Sequence, residues 1–245
     1  MSKADVAMLI DQSICVNCES CTLVCKDIYN TTKGVFRTKI QTVESGEYPD
    51  VVKVYNRKSC MHCNDAPCVA SCPTKACYKN DDDLTVIDER TCIECNYCYA
   101  NCPFQAITYD RSKGLMEKCS LCDTRIEKNL EPFCSMVCNT KAIKYGSRAE
   151  MMSYGNKRVS DLKDNGYEDA YLYGVDEMGG TRVFYVLQHS PEKYDLPVDP
   201  QQSAGSQIWK YLVSPFGGIA ALAAAGALLF NYGSNKRILS GKEDD

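Results

Sequence analysis

Residues 92–103 read C-I-E-C-N-Y-C-Y-A-N-C-P, with cysteines at 92, 95, 98 and 102 and a proline directly after the last. Residues 15–25 repeat that C-x2-C-x2-C-x3-C spacing in Cys15, Cys18, Cys21 and Cys25. Two further groups vary it. Cys60, Cys63, Cys68 and Cys72 read C-x2-C-x4-C-x3-C, and Cys119, Cys122, Cys134 and Cys138 read C-x2-C-x11-C-x3-C. With Cys77 these make 17 cysteines in 245 residues, too long a chain for a small disulfide-stapled scaffold. The balance of 28 basic against 32 acidic residues carries no footprint for nucleic acid. Two histidines, His62 and His189, leave little room for histidine-based metal or acid–base chemistry.

Three closely spaced thiolates wrap three irons of a [4Fe–4S] cubane, and the fourth cysteine of such a run reaches a neighbouring cluster. A zinc ribbon is built from two C-x2-C pairs, whereas two groups here carry a third cysteine at the same spacing. The spacing therefore predicts iron–sulfur clusters. No C-x2-C-H haem attachment, G-x-G-x-x-G or G-x4-G-K-[ST] motif occurs, and no nucleophile–base set is visible. The sequence presents electron carriers and no catalytic residue of its own.

Similar tails follow three of the groups: P-T-K-A-C-Y after Cys72, P-F-Q-A-I-T after Cys102 and N-T-K-A-I-K after Cys138. Each predicts a helical turn and then a short strand (Ala76–Lys79, Ala106–Tyr109, Ala142–Tyr145), with a hairpin at Asp81–Asp83 returning through Leu84–Ile87. The expected fold class is α+β. Cys77 takes the place of Ile107 and Ile143, so it is expected to pack as a small apolar side chain. Sixteen cysteines remain, enough for four clusters. Lys26, Lys75, Lys118 and Lys141 stand beside or near ligands, either as charge compensation or as ordinary surface lysines.

Beyond the last group, Ser147 predicts the cap of a helix from Arg148 to about Asn165, stopped by Gly166, and Arg182–Gln188 reads as a strand. Together they are expected to cover the core. No charge occurs among the 25 residues between Lys210 and Lys236. At about 1.5 Å per residue the run reaches roughly 37 Å, against about 30 Å of bilayer core. It predicts a single membrane-spanning helix with Trp209, Tyr211 and Tyr232 at its ends. Small residues such as Gly217, Ala220, Ala221 and Ala224 predict close approach to an integral membrane partner.

Four cysteine groups, the last with its x11 gap, resemble the four-cluster iron–sulfur β subunits of membrane-associated oxidoreductases. These include formate dehydrogenases, nitrate, dimethyl sulfoxide and polysulfide reductases and some nickel–iron hydrogenases. The resemblance covers roughly residues 5–146 and all sixteen positions. It implies that groups exchange their fourth ligands. One cluster would be held by Cys15, Cys18, Cys21 and Cys138, and its neighbour by Cys119, Cys122, Cys134 and Cys25. A third would be held by Cys60, Cys63, Cys68 and Cys102, and the fourth by Cys92, Cys95, Cys98 and Cys72. The implied organisation is a ferredoxin-like domain of two paired double-cluster units at 1–146, with groups two and three inserted at about 56–111. A covering segment and arm (147–208), a transmembrane helix (209–235) and a polar tail (236–245) follow.

The tail sharpens the resemblance. N-G-Y-E-D-A-Y-L-Y-G-V, G-G-T-R-V-F-Y-V-L-Q-H and Y-D-L-P-V-D-P followed by one terminal helix is similar to the β subunits of respiratory formate dehydrogenases. That implies a one-electron relay between a molybdenum or tungsten (molybdopterin-type) catalytic subunit and a cytochrome b subunit that reduces quinone. The same relay role in a hydrogenase or polysulfide-type reductase is the alternative. Lys236, Arg237 and Lys242 against Lys210 alone place the tail in the cytoplasm and the clusters on the outer face of the cytoplasmic membrane. Because the N-terminus does not read as a signal peptide, export attached to a partner is expected.

Overall fold

The computed structural model describes residues 5–202, 223–228 and 232. The unbroken apolar run near the start forms strand β1 (Val6–Asp11), all six of whose residues are buried. Helix α1 (Ser20–Ile28) follows, then a hairpin of β2 (Thr38–Ser45) and β3 (Val52–Ser59), paired in register from Thr38 opposite Ser59 to Ser45 opposite Val52. The middle of the chain is built from single helical turns and short hairpins. These are α2 (Pro67–Ala70), β4 (Cys77–Lys79), β5 (Thr85–Ile87), α3 (Tyr97–Ala100), β6 (Thr108–Asp110) and β7 (Leu115–Glu117). After α4 (Asp123–Ile126) and α5 (Phe133–Met136) come β8 (Ile143–Ser147), α6 (Arg148–Asp164), β9 (Tyr171–Tyr173) and β10 (Val183–Leu187).

The largest sheet has the order β8-β1-β10-β9. β1 runs antiparallel to β8 and parallel to β10, with Met8 opposite both Tyr145 and Val183. Both faces of β1 are covered, one by α6 and the other by the cysteine core, which accounts for its lack of alternation. Ala7, Leu9, Phe184 and Val186 face Met151 and Leu162 of α6. Met8, Ile10, Val183, Tyr185 and Leu187 point the other way, into the core that contains the cysteines. The sheet is thus a wall with a helix behind it and the cysteine groups in front.

Sequence and structure agree at α6, where Ser147 and Glu150 form a reciprocal capping box and Gly166 follows the end at φ +91°. The tail strands also form: β4 pairs with β5, and Cys77 sits opposite Ile87. In the stretch after Ser147, α6 lies against the sheet and β10 is one of its inner strands, flanked by β1 and β9.

Residues up to Gln202 and those from Ser203 onward form two separate units. In the second, 223–228 and 232 are helical, and the rest of the expected span at 209–235, with the tail 236–245, lies outside the described residues. Among the described residues no helix is long and apolar enough to cross a membrane.

Candidate iron–sulfur centres

One backbone device recurs in all four groups. The residue just before the second cysteine is left-handed each time: Asn17 (φ 53°), His62 (φ 51°), Glu94 (φ 57°) and Leu121 (φ 58°). None is glycine, so each turn is held by its surroundings against a local preference of about 1 kcal/mol or more. The turn aims a backbone N–H at the first sulfur of its group. His62 N donates to Cys60 Sγ at 3.4 Å and Leu121 N to Cys119 Sγ at 3.3 Å. A second left-handed residue, Lys75, Gln105 or Lys141, closes each tail three positions after the last cysteine. Cys72 Sγ and Cys102 Sγ then accept from Cys77 N (3.3 Å) and Ala106 N (3.5 Å). Such N–H···S bonds stabilise negative charge on sulfur.

Folding brings the cysteines together in fours that mix the groups. Cys15, Cys18, Cys21 and Cys138 line one cavity with Ile10, Val16 and Ile143. Cys25, Cys119, Cys122 and Cys134 line a second with Met8, Tyr29 and Phe133. Cys72, Cys92, Cys95 and Cys98 line a third with Ile87 and Met116. Cys60, Cys63, Cys68 and Cys102 make the remaining set, in which Cys63 feels the other three sulfurs.

Electrostatics states what these sets lack. Burial pushes the Cys60, Cys98 and Cys134 thiols up to about 12, and neighbouring sulfurs add to the rise. Burial and the sulfurs of Cys119, Cys134 and Cys122 push Cys25 up further. Four thiolates facing one another in an apolar cavity need a multivalent cation between them, and coordination deprotonates a thiol outright. Among the described residues no three His, Cys, Asp or Glu side chains converge tightly enough for a single metal ion. Four cysteines lining each apolar cavity are the donor set that a [4Fe–4S] group would take, and the residues fit it.

Shared residues join the sets into a row. Arg57 lines both the Cys15 and the Cys25 cavities. Lys118, fully buried, acts on Cys60 and Cys68 on one side and on Cys119 on the other, its ammonium bonded to the Thr85 and Cys119 carbonyls. Cys77 interacts electrostatically with Cys68 and lines the Cys72 cavity. It is buried, as its place in the repeat predicts, and its backbone N–H donates to Cys72 Sγ.

The lysines divide. Lys26 turns away to donate to the Thr31, Thr32 and Val35 carbonyls at 3.0, 2.5 and 3.2 Å, while Lys75 and Lys141 are exposed. Sequence reasoning missed Arg57, whose N-R-K-S setting resembles an ordinary solvated hairpin.

A profile for a 4Fe-4S dicluster domain matches residues 51–148. The nitrate-inducible formate dehydrogenase iron–sulfur subunit of Escherichia coli (strain K12) is 32% identical over 265 aligned positions, covering 99% of this chain and 90% of that protein. The formate dehydrogenase iron–sulfur subunit of Haemophilus influenzae is 35% identical over 248 positions, 93% of this chain and 78% of its own. The B subunit of polysulfide reductase from Wolinella succinogenes is 35% identical over 153 positions, 61% of this chain and 80% of its own. With this similarity running along nearly its whole length, the chain belongs to the ferredoxin-type 4Fe-4S family that contains the iron–sulfur subunits of the formate dehydrogenases.

Proposed function

We propose that this chain is the electron-transfer subunit of a formate dehydrogenase complex, holding four [4Fe–4S] clusters in a row. The observation that carries the reading is the row itself, in which four sets of four cysteines share Arg57, Lys118 and Cys77 between neighbours. Each set takes three cysteines from one group and its fourth from another: Cys138 joins Cys15, Cys18 and Cys21, and Cys25 joins Cys119, Cys122 and Cys134. Cys102 joins Cys60, Cys63 and Cys68, while Cys72 joins Cys92, Cys95 and Cys98. When bound, such clusters supply sites that accept and release single electrons. The chain's own part is to exclude water with apolar walls, to donate amide N–H groups to sulfur and to fix buried cations between sets. No side chain here is assigned to substrate chemistry, which belongs to a molybdopterin-type catalytic partner.

The remaining organisation follows the same reading. Residues 1–146 form the cluster domain with groups two and three inserted at about 56–111, and 209–235 form one transmembrane helix beside a cytochrome b subunit. The charge-free run between Lys210 and Lys236 supports that helix, and the full-length similarity to formate dehydrogenase subunits extends over it. The positive tail supports a cluster domain on the outer face of the cytoplasmic membrane. A relay in a polysulfide-type reductase is the second reading, favoured by the Wolinella succinogenes similarity, which covers only 61% of the chain.

The test is anaerobic solubilisation of the native membrane complex, iron analysis and low-temperature EPR after formate or dithionite. The expected result is about sixteen irons per chain after haem and other partner iron is subtracted, with several interacting reduced-cluster signals appearing on formate. Signals with dithionite and none with formate move the relay to another oxidoreductase. About twelve irons or fewer in a fully assembled complex overturns the four-cluster assignment.

A further inference from the structure

Arg57 stands on β3, 2% exposed, with its guanidinium between two cavities. Its Nη1 donates to Ser59 Oγ at 3.0 Å and reaches Met8 Sδ at 3.8 Å, Nη2 donates to Cys134 Sγ at 3.5 Å, and Nε has no partner. Around it, Gln12 Oε1 accepts from Arg57 N at 3.3 Å, and Tyr185 donates its hydroxyl to the Arg57 carbonyl at 2.7 Å. Among the described residues no carboxylate forms an ion pair with it.

Guanidinium does not deprotonate in proteins, and a fully buried charge needs a counter-charge. Lys118 and Lys26 solve the same problem with carbonyl oxygens. Arg57 has one hydroxyl, a thioether and a thiol, which is too little for a cation removed from water. The missing anion is therefore expected in the cavities that the guanidinium faces. A cluster with four thiolates carries about −2 when oxidised and gains one more negative charge on reduction. We infer that Arg57 is the fixed counter-charge of two clusters at once, those of the Cys15 and Cys25 sets, and that it favours their reduced states over those of the other two. The inference rests on the four-cluster reading and adds to it a fixed cation shared by the first two sets, as Lys118 is placed beside the Cys60 set.

Both reductions keep their atoms and electrons in balance: one electron enters, no proton is needed at Arg57, and its charge is the same before and after. The experiment is a potentiometric titration followed by EPR on the assembled complex, comparing wild type with Arg57→Gln and Arg57→Lys, alongside iron counts. In Arg57→Gln the reduction equilibria of two clusters are expected to fall at least tenfold, which is about 59 mV for one electron. The other two stay within twofold. Arg57→Lys keeps the charge and is expected within tenfold of wild type at all four. Unmoved midpoints in an iron-replete Arg57→Gln complex overturn the inference, as does an equal shift of all four. Should Arg57→Gln fail to load iron, a fully loaded Arg57→Lys supports the need for charge, whereas failure of both assigns Arg57 to packing alone. Wild-type complex short of about sixteen irons refutes the four-cluster reading instead.

Discussion

Asp11, the last residue of β1, accepts a 2.8 Å bond from Arg158 of α6, 147 positions further along the chain. The carboxylate is entirely buried and also accepts from Ser13 N at 3.1 Å, capping the turn that delivers Cys15. One ion pair thus fastens the rear helix to the entrance of the first cysteine group.

Removing the cation should be felt at that entrance. Breaking a buried pair costs about 3–5 kcal/mol. Because the Arg158 side chain keeps 24% of its surface in water, about 2 kcal/mol is expected for Arg158→Met after allowance for screening. Thermal unfolding of the complex and hydrogen exchange at Ser13 measure it. Arg158→Lys should recover about half. Equal stability of Met and wild type would show that the pair contributes nothing.

Ligand exchange between groups makes an arithmetic prediction. Cys102 and Cys63 are assigned to one set and Cys95 to another, so the double variants Cys63→Ser/Cys102→Ser and Cys95→Ser/Cys102→Ser differ. The first should lose one cluster and retain about twelve irons, the second two clusters with about eight. Reversed counts would mean that Cys102 serves its own group.

Gly155 marks the closest approach of α6 to the sheet. A Cβ there meets Leu172 Cδ1 at 2.6 Å and Leu9 Cδ1 at 2.9 Å, both on buried side chains. Alanine usually favours a helix over glycine by about 1 kcal/mol, while overpacking costs about 1–3 kcal/mol. Gly155→Ala is therefore expected to destabilise the fold by about 1 kcal/mol. Adding Leu172→Ala should cost less than the sum of the two single changes, because the methyl that collides is gone. Additive losses in thermal unfolding would reject the collision.

The capping box offers a local test. Ser147 Oγ accepts from Glu150 N at 3.3 Å, and Glu150 accepts from Ser147 N at 3.0 Å. Ser147→Ala should weaken the first turn of α6 by about 1 kcal/mol. Faster hydrogen exchange there, with α6 beyond Gly155 unchanged, is the expected readout; uniform acceleration along α6 would refute a local cap.

What the sequence disclosed and what it hid follow from the range of the forces involved. Thiolate ligation, helix capping and tight hairpins act over a few residues, so the four groups, α6 and the β4–β5 hairpin are legible directly. β1 does not announce itself as a strand, because its two faces are buried by α6 and by the cysteine core, far away in sequence. The β2–β3 hairpin and Arg57 stay hidden for the same reason. Nothing in V-K-V-Y-N-R-K-S says that Asn56 and Arg57 are both enclosed, since Gln12 and Cys134 arrive there from other parts of the chain. A buried polar run directly before a ligand group is the available signal, and alternation alone conceals it.

The parallel pairing of β1 with β10 also sets a timetable. Met8 leaves the ribosome long before its neighbours Tyr145 and Val183 exist. At about 5–20 residues per second the delay to Val183 is roughly 10–35 s. During that interval the thiols of residues 15–25 wait without Cys134 and Cys138, whereas the cysteines from Cys60 to Cys102 already have each other. Metal delivery is then expected to begin in the middle of the polypeptide and finish at its ends, and a nascent chain halted before residue 134 would carry half its cargo beside six unguarded thiols, Cys15, Cys18, Cys21, Cys25, Cys119 and Cys122.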